Sequence, residues 1–313
     1  MVTSKNEFKT ASQMSNRIKP SFKILLSEII DYAGLFPPAK LSMDQAVANY
    51  ASYRKSKYSW MLARFIVPSS RIDEFISNSK DILGQDGNPW SLSVIADETL
   101  DVTLKKIRDF NEEFKGIGQF DTLEMKASSV WAIEEASERL GDQLVIYFEI
   151  PVDDNLPDLI SVISIHRQRA KMRTGGTTHD AFPATEKLLK FIRTCVAANV
   201  PFKFTAGLHH PIHCEKPLTY EQNAPIGKMY GFLNVFFASA FARHSLKPSL
   251  IQEILEDENP QNFAFTEDGI YWRHEHFVGN WYLKQLREKA AISFGSCSFE
   301  EPIQDLKELK LLD

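Results

Sequence analysis

Two hydrophobic periodicities alternate along the chain. Short apolar segments such as "MLARFIVP" (61–68) and "LVIYFEIP" (144–151) predict strands, and each precedes a segment with helical spacing. This alternation is typical of parallel sheets whose crossover connections are helices. We predict seven strands within residues 28–39, 61–68, 91–97, 121–127, 144–151, 170–176 and 201–208.

The eighth strand of the pattern is ambiguous. Residues 263–273 read either as a strand or as a hairpin that turns at Glu267-Asp268-Gly269, and residues 280–292 read as a closing helix. Seven strand–helix units and this one predict a single-domain α/β fold of the (β/α)8 TIM-barrel type, over residues 22–313. Residues 1–21 are predicted to form an N-terminal arm or helix. An open doubly wound sheet is the alternative, but no GxGxxG or P-loop sequence begins a helix.

Ionisable residues occur at alternate positions of several predicted strands. Lys171 and Arg173 are two residues apart, as are Lys203 and Thr205, so each pair lies on one face of its strand. Buried charges are a costly way to stabilise a core, and barrel enzymes place their sites at the carboxyl ends of the strands. We therefore predict a polar pocket there.

The cations of this predicted pocket outnumber its anions. An excess of cations favours an anionic ligand, a carboxylate or a phosphate. The glycines in the turns after strands six and seven allow backbone N–H groups to approach such a ligand closely. The predicted ligand-binding residues are Arg64, Arg173, Lys126, Asp97, Thr205, Gly175, Gly176 and Gly207.

The segments "KMRTGG" (171–176) and "KFTAGL" (203–208) resemble the class I aldolases of the deoxyribose-phosphate-aldolase type. That family has "K-x-x-T-G" on strand six and "K-A-x-G-G" on strand seven. The resemblance implies a Schiff-base nucleophile at Lys171, a neighbouring lysine at Lys203 and a proton-transfer carboxylate at Glu124. Two adjacent ammonium groups disfavour each other's charge, which would free an amine for attack on a carbonyl. The chain departs from the family at Arg173, where a small polar residue is expected. As a whole, it looks most similar to an uncharacterised bacterial family of (β/α)8 barrels.

Further candidates surround these lysines. His209 shares the parity of Lys203 and is the preferred general acid or base, together with Glu149 and Glu124 as proton-transfer candidates. The two glutamates are also candidate ligands of Mg²⁺, although no other cofactor is expected. If the lysines pair with these glutamates, neither the Schiff-base nor the metal chemistry is available.

Histidines and cysteines suggest two further readings. A zinc site in "HHPIHC" (209–214) is disfavoured, because adjacent histidines on an extended segment point opposite ways. Cys297 is predicted to be a free structural thiol.

The predicted function is aldolase-type or lyase-type C–C chemistry on a small anionic carbonyl substrate. The alternatives are a Mg²⁺-assisted lyase or phosphoribosyl-type transferase with the lysines as anion clamps, and a barrel that binds an anionic metabolite without turnover. The net charge of −5 argues against nucleic acid, and no 18-residue apolar run predicts a membrane span. The polar N-terminus and three unpatterned cysteines indicate a cytoplasmic protein. The apolar segment 231–242 makes a homo-oligomer possible.

Overall fold

Eight parallel strands close into a barrel in the computed structural model, which describes residues 18–140 and 144–313. The predicted (β/α)8 TIM-type fold is confirmed, whereas residues 1–17 of the predicted arm lie outside the described residues. A short helix, α1 (Pro20–Leu26), precedes the first strand. The first seven barrel strands are β1 (Ile30–Tyr32), β2 (Leu62–Pro68), β3 (Trp90–Ile95), β4 (Gly118–Lys126), β5 (Val145–Glu149), β6 (Arg169–Arg173) and β7 (Phe202–Thr205).

Helices follow the strands and cover the outside of the barrel. Outward-facing strand residues such as Leu123, Phe148 and Phe204 are fully buried beneath them. The helices between the first seven strands are α2 (Met43–Arg54), α3 (Ile72–Ser79), α4 (Leu100–Glu113), α5 (Val130–Leu140), α6 (Leu156–Ile165) and α7 (Thr185–Ala197).

The connection after β7 is longer than the others. It contains an antiparallel pair, β8 (Cys214–Pro217) and β9 (Ile226–Met229), and then helices α8 (Phe232–Arg243) and α9 (Pro248–Glu256). Helix α8 is buried along almost its whole length, so its apolar sequence is explained by packing within the chain. No helix among residues 18–140 and 144–313 has the length and apolarity to cross a bilayer.

The eighth barrel strand lies later in the chain than the ambiguous segment. Residues 263–273 form the hairpin alternative: β10 (Phe263–Phe265) pairs with β11 (Gly269–Trp272). Strand β11 also pairs with β12 (His276–Gly279), which completes a separate antiparallel sheet. The closing strand is β13 (Ala291–Ser296), which pairs with β7 and β1.

The predicted closing helix was therefore too long. Helix α10 (Asn280–Lys289) ends before Ala291, and α11 (Glu300–Glu308) is the helix that follows β13. The apolar residues at 290–292 continue the helical pattern of α10, and the interior of β13 carries only small residues, Ser293 and Gly295. Neither feature resembles a strand in the sequence.

Two of the predicted anion-binding glycines contact each other where β6 and β7 end. A Cβ added to Gly207 would lie 2.7 Å from Gly175 Cα, and Gly207 has a φ of +78°. Phe182 packs against both glycines. The structure thus gives Gly175 and Gly207 a packing role, because only glycine permits the two turns to approach this closely.

We expect Gly207→Ala to destabilise the protein by about 1–3 kcal/mol more than Gly87→Ala. Gly87 is the matched control because its φ is +79° and an added Cβ would meet no atom within 4 Å. Denaturant unfolding of both variants measures the difference. Equal losses would mean that the backbone conformation, and not the contact with Gly175, requires glycine.

Candidate active site

A cavity of about 600 Å³ opens at the carboxyl ends of the barrel strands. Its apolar wall includes Phe36, Ile66, Ile95 and Met125, and Ala96, Ala206 and Cys297 lie at its rim. The polar and charged residues that line it are Asp97, Glu98, Glu124, Lys126, Glu149, Lys171, Arg173, Thr177, Thr205 and His209.

The carboxylate of Glu124 joins the two strand lysines beneath this cavity. Glu124 is completely buried, and its Oε1 accepts hydrogen bonds from Lys203 Nζ at 2.7 Å and from Ser93 Oγ at 2.7 Å. Its Oε2 lies 2.9 Å from Lys171 Nζ, in ion-pair contact but without good hydrogen-bond alignment. Burial alone would raise the pKa of Glu124, but Lys171 and Lys203 outweigh it and hold that pKa well below the ordinary value.

A chain of alternating charges extends from this carboxylate in both directions. On one side Lys203 Nζ donates to Asp31 Oδ2 at 2.6 Å, and Ser293 Oγ donates to the same oxygen at 2.7 Å. On the other side Lys171 Nζ lies 2.9 Å from Glu149 Oε2. In order across the barrel, the chain consists of Asp31, Lys203, Glu124, Lys171, Glu149 and Arg173.

The two lysines differ in their access to the cavity. Both side chains are buried, with 4% of Lys171 and 1% of Lys203 exposed, but Lys171 lines the cavity whereas Lys203 lies outside its lining. Burial alone would lower the pKa of Lys203, but Asp31 and Glu124 raise it well above the ordinary value. The contacts with Asp31 and Glu124 therefore favour the ammonium form of Lys203.

Each strand lysine is paired with a glutamate, which is the pairing expected to exclude both chemistries. It opposes a metal directly, whereas for a Schiff base it requires that Lys171 first give up a proton. The Lys171 ammonium already bridges Glu124 and Glu149, at the position that a shared Mg²⁺ would take. These carboxylates therefore do not fit a Mg²⁺ site in this arrangement. Within the described ranges, no group of three or more His, Cys, Asp or Glu side chains is arranged to hold a metal ion.

Two cations lie at the mouth of the cavity. Arg173 Nε lies 3.3 Å from Glu149 Oε1, but its side chain is 50% exposed. Lys126 is exposed and has no carboxylate within 4 Å among the described residues. Thr205 and Gly176 line the same opening.

Arg64 lies outside the cavity, and Asp97 lines the cavity with both carboxylate oxygens engaged. Arg64 lies near the amino-terminal end of β2, where it makes a bidentate ion pair with Asp121 at 2.6 and 2.8 Å, outside the cavity lining. Asp97 lines the cavity, but its oxygens accept hydrogen bonds from Ser69 Oγ, Ser70 N and Ser70 Oγ. These bonds fix the turn between β2 and α3.

His209 lines the cavity because of the turn after β7, and not because it continues the alternation of the strand. Ala206 and Gly207 have positive φ angles, so the chain leaves its extended course before the histidines. His209 Nδ1 lies 2.9 Å from Glu301 Oε2 and His210 Nδ1 lies 2.5 Å from Asp305 Oδ2, so both rings contact α11. The expectation that they point opposite ways was wrong.

Glu301 orients the ring of His209. Burial alone would raise the pKa of Glu301, but hydrogen bonding and charge from His209 lower it, so Glu301 is an ionised acceptor for Nδ1–H. That contact leaves Nε2 of neutral His209 as its free acceptor. Tyr220 of the β8–β9 connection also donates to Glu301 Oε2 at 3.1 Å and lies 3.7 Å from Cys297 Sγ.

Several residues of the site were missed from the sequence. Asp31, Ser93, Ser293 and Glu301 are not among the site residues predicted from the sequence. Cys297, predicted as a structural thiol, lines the cavity, and burial raises the pKa of its thiol. For Asp31 and Ser93 the available signal was a polar residue at an interior position of a predicted strand. Ser293 gave no such signal, because its strand β13 was not recognised in the sequence.

We expect Glu124→Gln to lower the free energy of unfolding by about 3–5 kcal/mol, because it leaves two buried ammonium groups without their shared counter-charge. Asp109→Asn is the control: it removes the partner of Lys105 in an exposed pair and should cost less than about 0.5 kcal/mol. Urea unfolding at pH 7 measures both. A loss below 1 kcal/mol in the Glu124 variant would contradict the shared-carboxylate account.

The stabilising effect of Glu149 is expected to disappear in acid. Burial alone would raise the pKa of Glu149, but Lys171 and Arg173 lower it from its ordinary value of 4.5. A lowered pKa gives stability that is complete above the unfolded value and is lost as the pH falls through the folded value. Glu149→Gln should therefore cost about 1–3 kcal/mol at pH 7 and progressively less below about pH 4.5.

Unfolding curves of the parent and of Glu149→Gln between pH 7 and pH 3 test this dependence. Glu135→Gln, which removes an exposed partner of Arg139, is the control and should stay within about 0.5 kcal/mol of the parent at pH 7. A Glu149 difference that is constant over the whole range would show that its charge is not responsible.

Comparisons with protein-family models, curated proteins and solved structures find no match to this chain. The likeness of residues 171–208 to class I aldolases therefore rests on those residues alone. Because a barrel by itself does not define an activity, the function has to be argued from the chemistry of the site.

Proposed function

We propose that the protein is an enzyme with aldolase-type or lyase-type activity on a small anionic carbonyl compound, and that Lys171 is its Schiff-base nucleophile. One observation carries the proposal: among the described residues, Lys171 is the buried lysine that also lines the cavity. An amine that lines a cavity at the carboxyl ends of the barrel strands, where barrel enzymes place their sites, is well placed to attack a bound carbonyl group.

The charge balance of the site is compatible with this chemistry despite the ion pairs of Lys171. An ammonium and a carbonyl compound give an iminium ion and water, so the positive charge on nitrogen is retained. Glu124 and Glu149, each 2.9 Å from Nζ, stabilise an iminium as they stabilise the ammonium. The net charge of the surrounding groups therefore does not have to change.

Attack on the carbonyl requires the neutral amine, and Glu149 is the proposed proton acceptor. Its side chain is 14% exposed and borders the cavity, so the accepted proton can pass on to the substrate or to water. Glu124 is fully buried and shared with Lys203, so it holds its negative charge throughout. Lys203 is reassigned from pKa-lowering neighbour to the fixed counter-ion of Glu124 and Asp31.

The rim of the cavity supplies the remaining functions. Arg173 and Lys126 attract the anionic group of the substrate, and Arg173 offers a planar guanidinium for a carboxylate. His209, oriented by Glu301, is the proposed acid or base for the carbon or oxygen that reacts beyond the iminium.

The ion pairs also favour a second candidate, a barrel that binds an anionic metabolite without turnover. In this case the chain of six alternating charged residues would only maintain the structure of the pocket. Its mark would be saturable ligand binding without product. The Mg²⁺-assisted lyase and the transferase with both lysines as clamps are less well supported, because both ammonium groups are engaged with carboxylates.

Sodium borohydride should trap a substrate adduct on Lys171, because it reduces the iminium to a stable secondary amine. The protein is incubated with a panel of small 2-oxo acids and phosphorylated aldehydes, reduced, digested and analysed by mass spectrometry. We expect a modified peptide that contains Lys171 with at least one carbonyl compound. Lys171→Arg should abolish this adduct while keeping the charge.

Lys105→Arg is the control, because Lys105 is an exposed lysine on α4 and should not affect trapping at Lys171. Adducts spread over exposed lysines, with none on Lys171 for any compound, would reject the Schiff-base mechanism. Binding of the same compounds without an adduct would then favour the non-catalytic barrel.

A further inference from the structure

A second depression adjoins the cavity on the side of β4, β5 and β6. It has a volume of about 500 Å³ and shares Lys126, Glu149 and Arg173 with the cavity, so the two spaces meet at these side chains. Its remaining wall comes from the turns that follow these strands and from the first turn of α7. The residues that line this side groove alone are Ala127, Ser128, Ile150, Pro151, Val152, Met172, Pro183 and Lys187.

The side groove carries three cations and one carboxylate. The carboxylate, Glu149, is already engaged by Lys171 and by Arg173. Lys126 and Lys187, in contrast, have no carboxylate within 4 Å in the part of the chain that the structure describes. The groove thus has an uncompensated positive charge where it joins the cavity.

We propose that the side groove binds an anionic terminal group of the substrate, a phosphate monoester or a carboxylate, while the carbonyl group lies over Lys171. The placement of the carbonyl group over Lys171 rests on the proposed function, whereas the binding of an anion in the side groove does not. The predicted substrate is then a carbonyl compound that carries its anionic group away from the reacting carbon. Its chain must be long enough for the anionic group to lie in the groove while the carbonyl carbon reaches Lys171.

The chemistry of the groove suits a phosphate in particular. A phosphate monoester carries close to two negative charges and three acceptor oxygens, which match two lysines, one arginine and the Ser128 hydroxyl. The groove lies beside strands four to six, whereas the frequent phosphate site of TIM barrels follows strands seven and eight. In this chain Gly207, in the turn after β7, packs against Gly175.

Inorganic phosphate is a direct probe of the groove. The full chain is titrated with phosphate at constant ionic strength, and binding is followed by ³¹P NMR line broadening. The double variant Lys126→Gln/Lys187→Gln should raise the Kd about tenfold, since each lost contact of an exposed charge weakens binding by a few-fold. All the substituted side chains are exposed, so folding should be retained.

Lys105→Gln/Lys57→Gln is the matched control, because it removes two exposed charges that lie outside the groove lining. We expect its Kd to stay within about twofold of the parent. Equal weakening in both double variants, or no saturable binding to the parent, would overturn the proposal.

Two further arms complete the test. Acetate in place of phosphate shows whether the groove prefers a carboxylate or a phosphate. Lys171→Arg should keep phosphate binding unchanged, so failure of the Schiff-base chemistry and failure of the anion site are distinguished. Loss of phosphate binding in Lys171→Arg would overturn the separation of the two sites.

Discussion

The structure depends on one buried carboxylate that two ammonium groups share. Aliphatic side chains usually fill the axis of a (β/α)8 barrel, and a fully buried ion pair often costs more in desolvation than it returns. Here Glu124 is stabilised only because Lys171, Lys203 and Ser93 all contact it. Most of the stability of the fold therefore comes from the helices and the aromatic residues around the barrel, and not from the ion pairs in its interior. An arrangement of this kind is more readily explained by function than by folding.

Much of the fold could be predicted from the sequence, because the outward-facing residues of the first seven strands are apolar and the following helices have clear periodicity. The eighth strand could not. Ala291 and Ile292 extend the pattern of α10, and the small inward residues Ser293 and Gly295 give no alternation of the usual kind. What identifies β13 is its pairing with β1 and β7, at opposite ends of the chain, and local sequence carries no information about such pairing.

The candidate site was predicted less completely than the fold. Parity identifies which strand residues face the axis, but it does not give their height along it. In a tilted, staggered barrel, residues of the same parity lie in different layers. Arg64 thus pairs with Asp121 below the cavity, while Arg173 lies at its mouth. His209 shows a second limit, because the positive φ of Gly207 redirects the chain after β7.

The two strand lysines illustrate how partners assign different roles to residues in equivalent positions. Lys171 and Lys203 are directly opposite each other on adjacent strands, and both contact Glu124. Lys203 pairs with Asp31, which lies two strands away across β13, and is buried outside the cavity lining. Lys171 pairs with Glu149 on the adjacent strand and lines the cavity. Asp31, on the first strand, therefore distinguishes the two lysines, because it pairs with Lys203 outside the cavity lining while Lys171 stays in that lining.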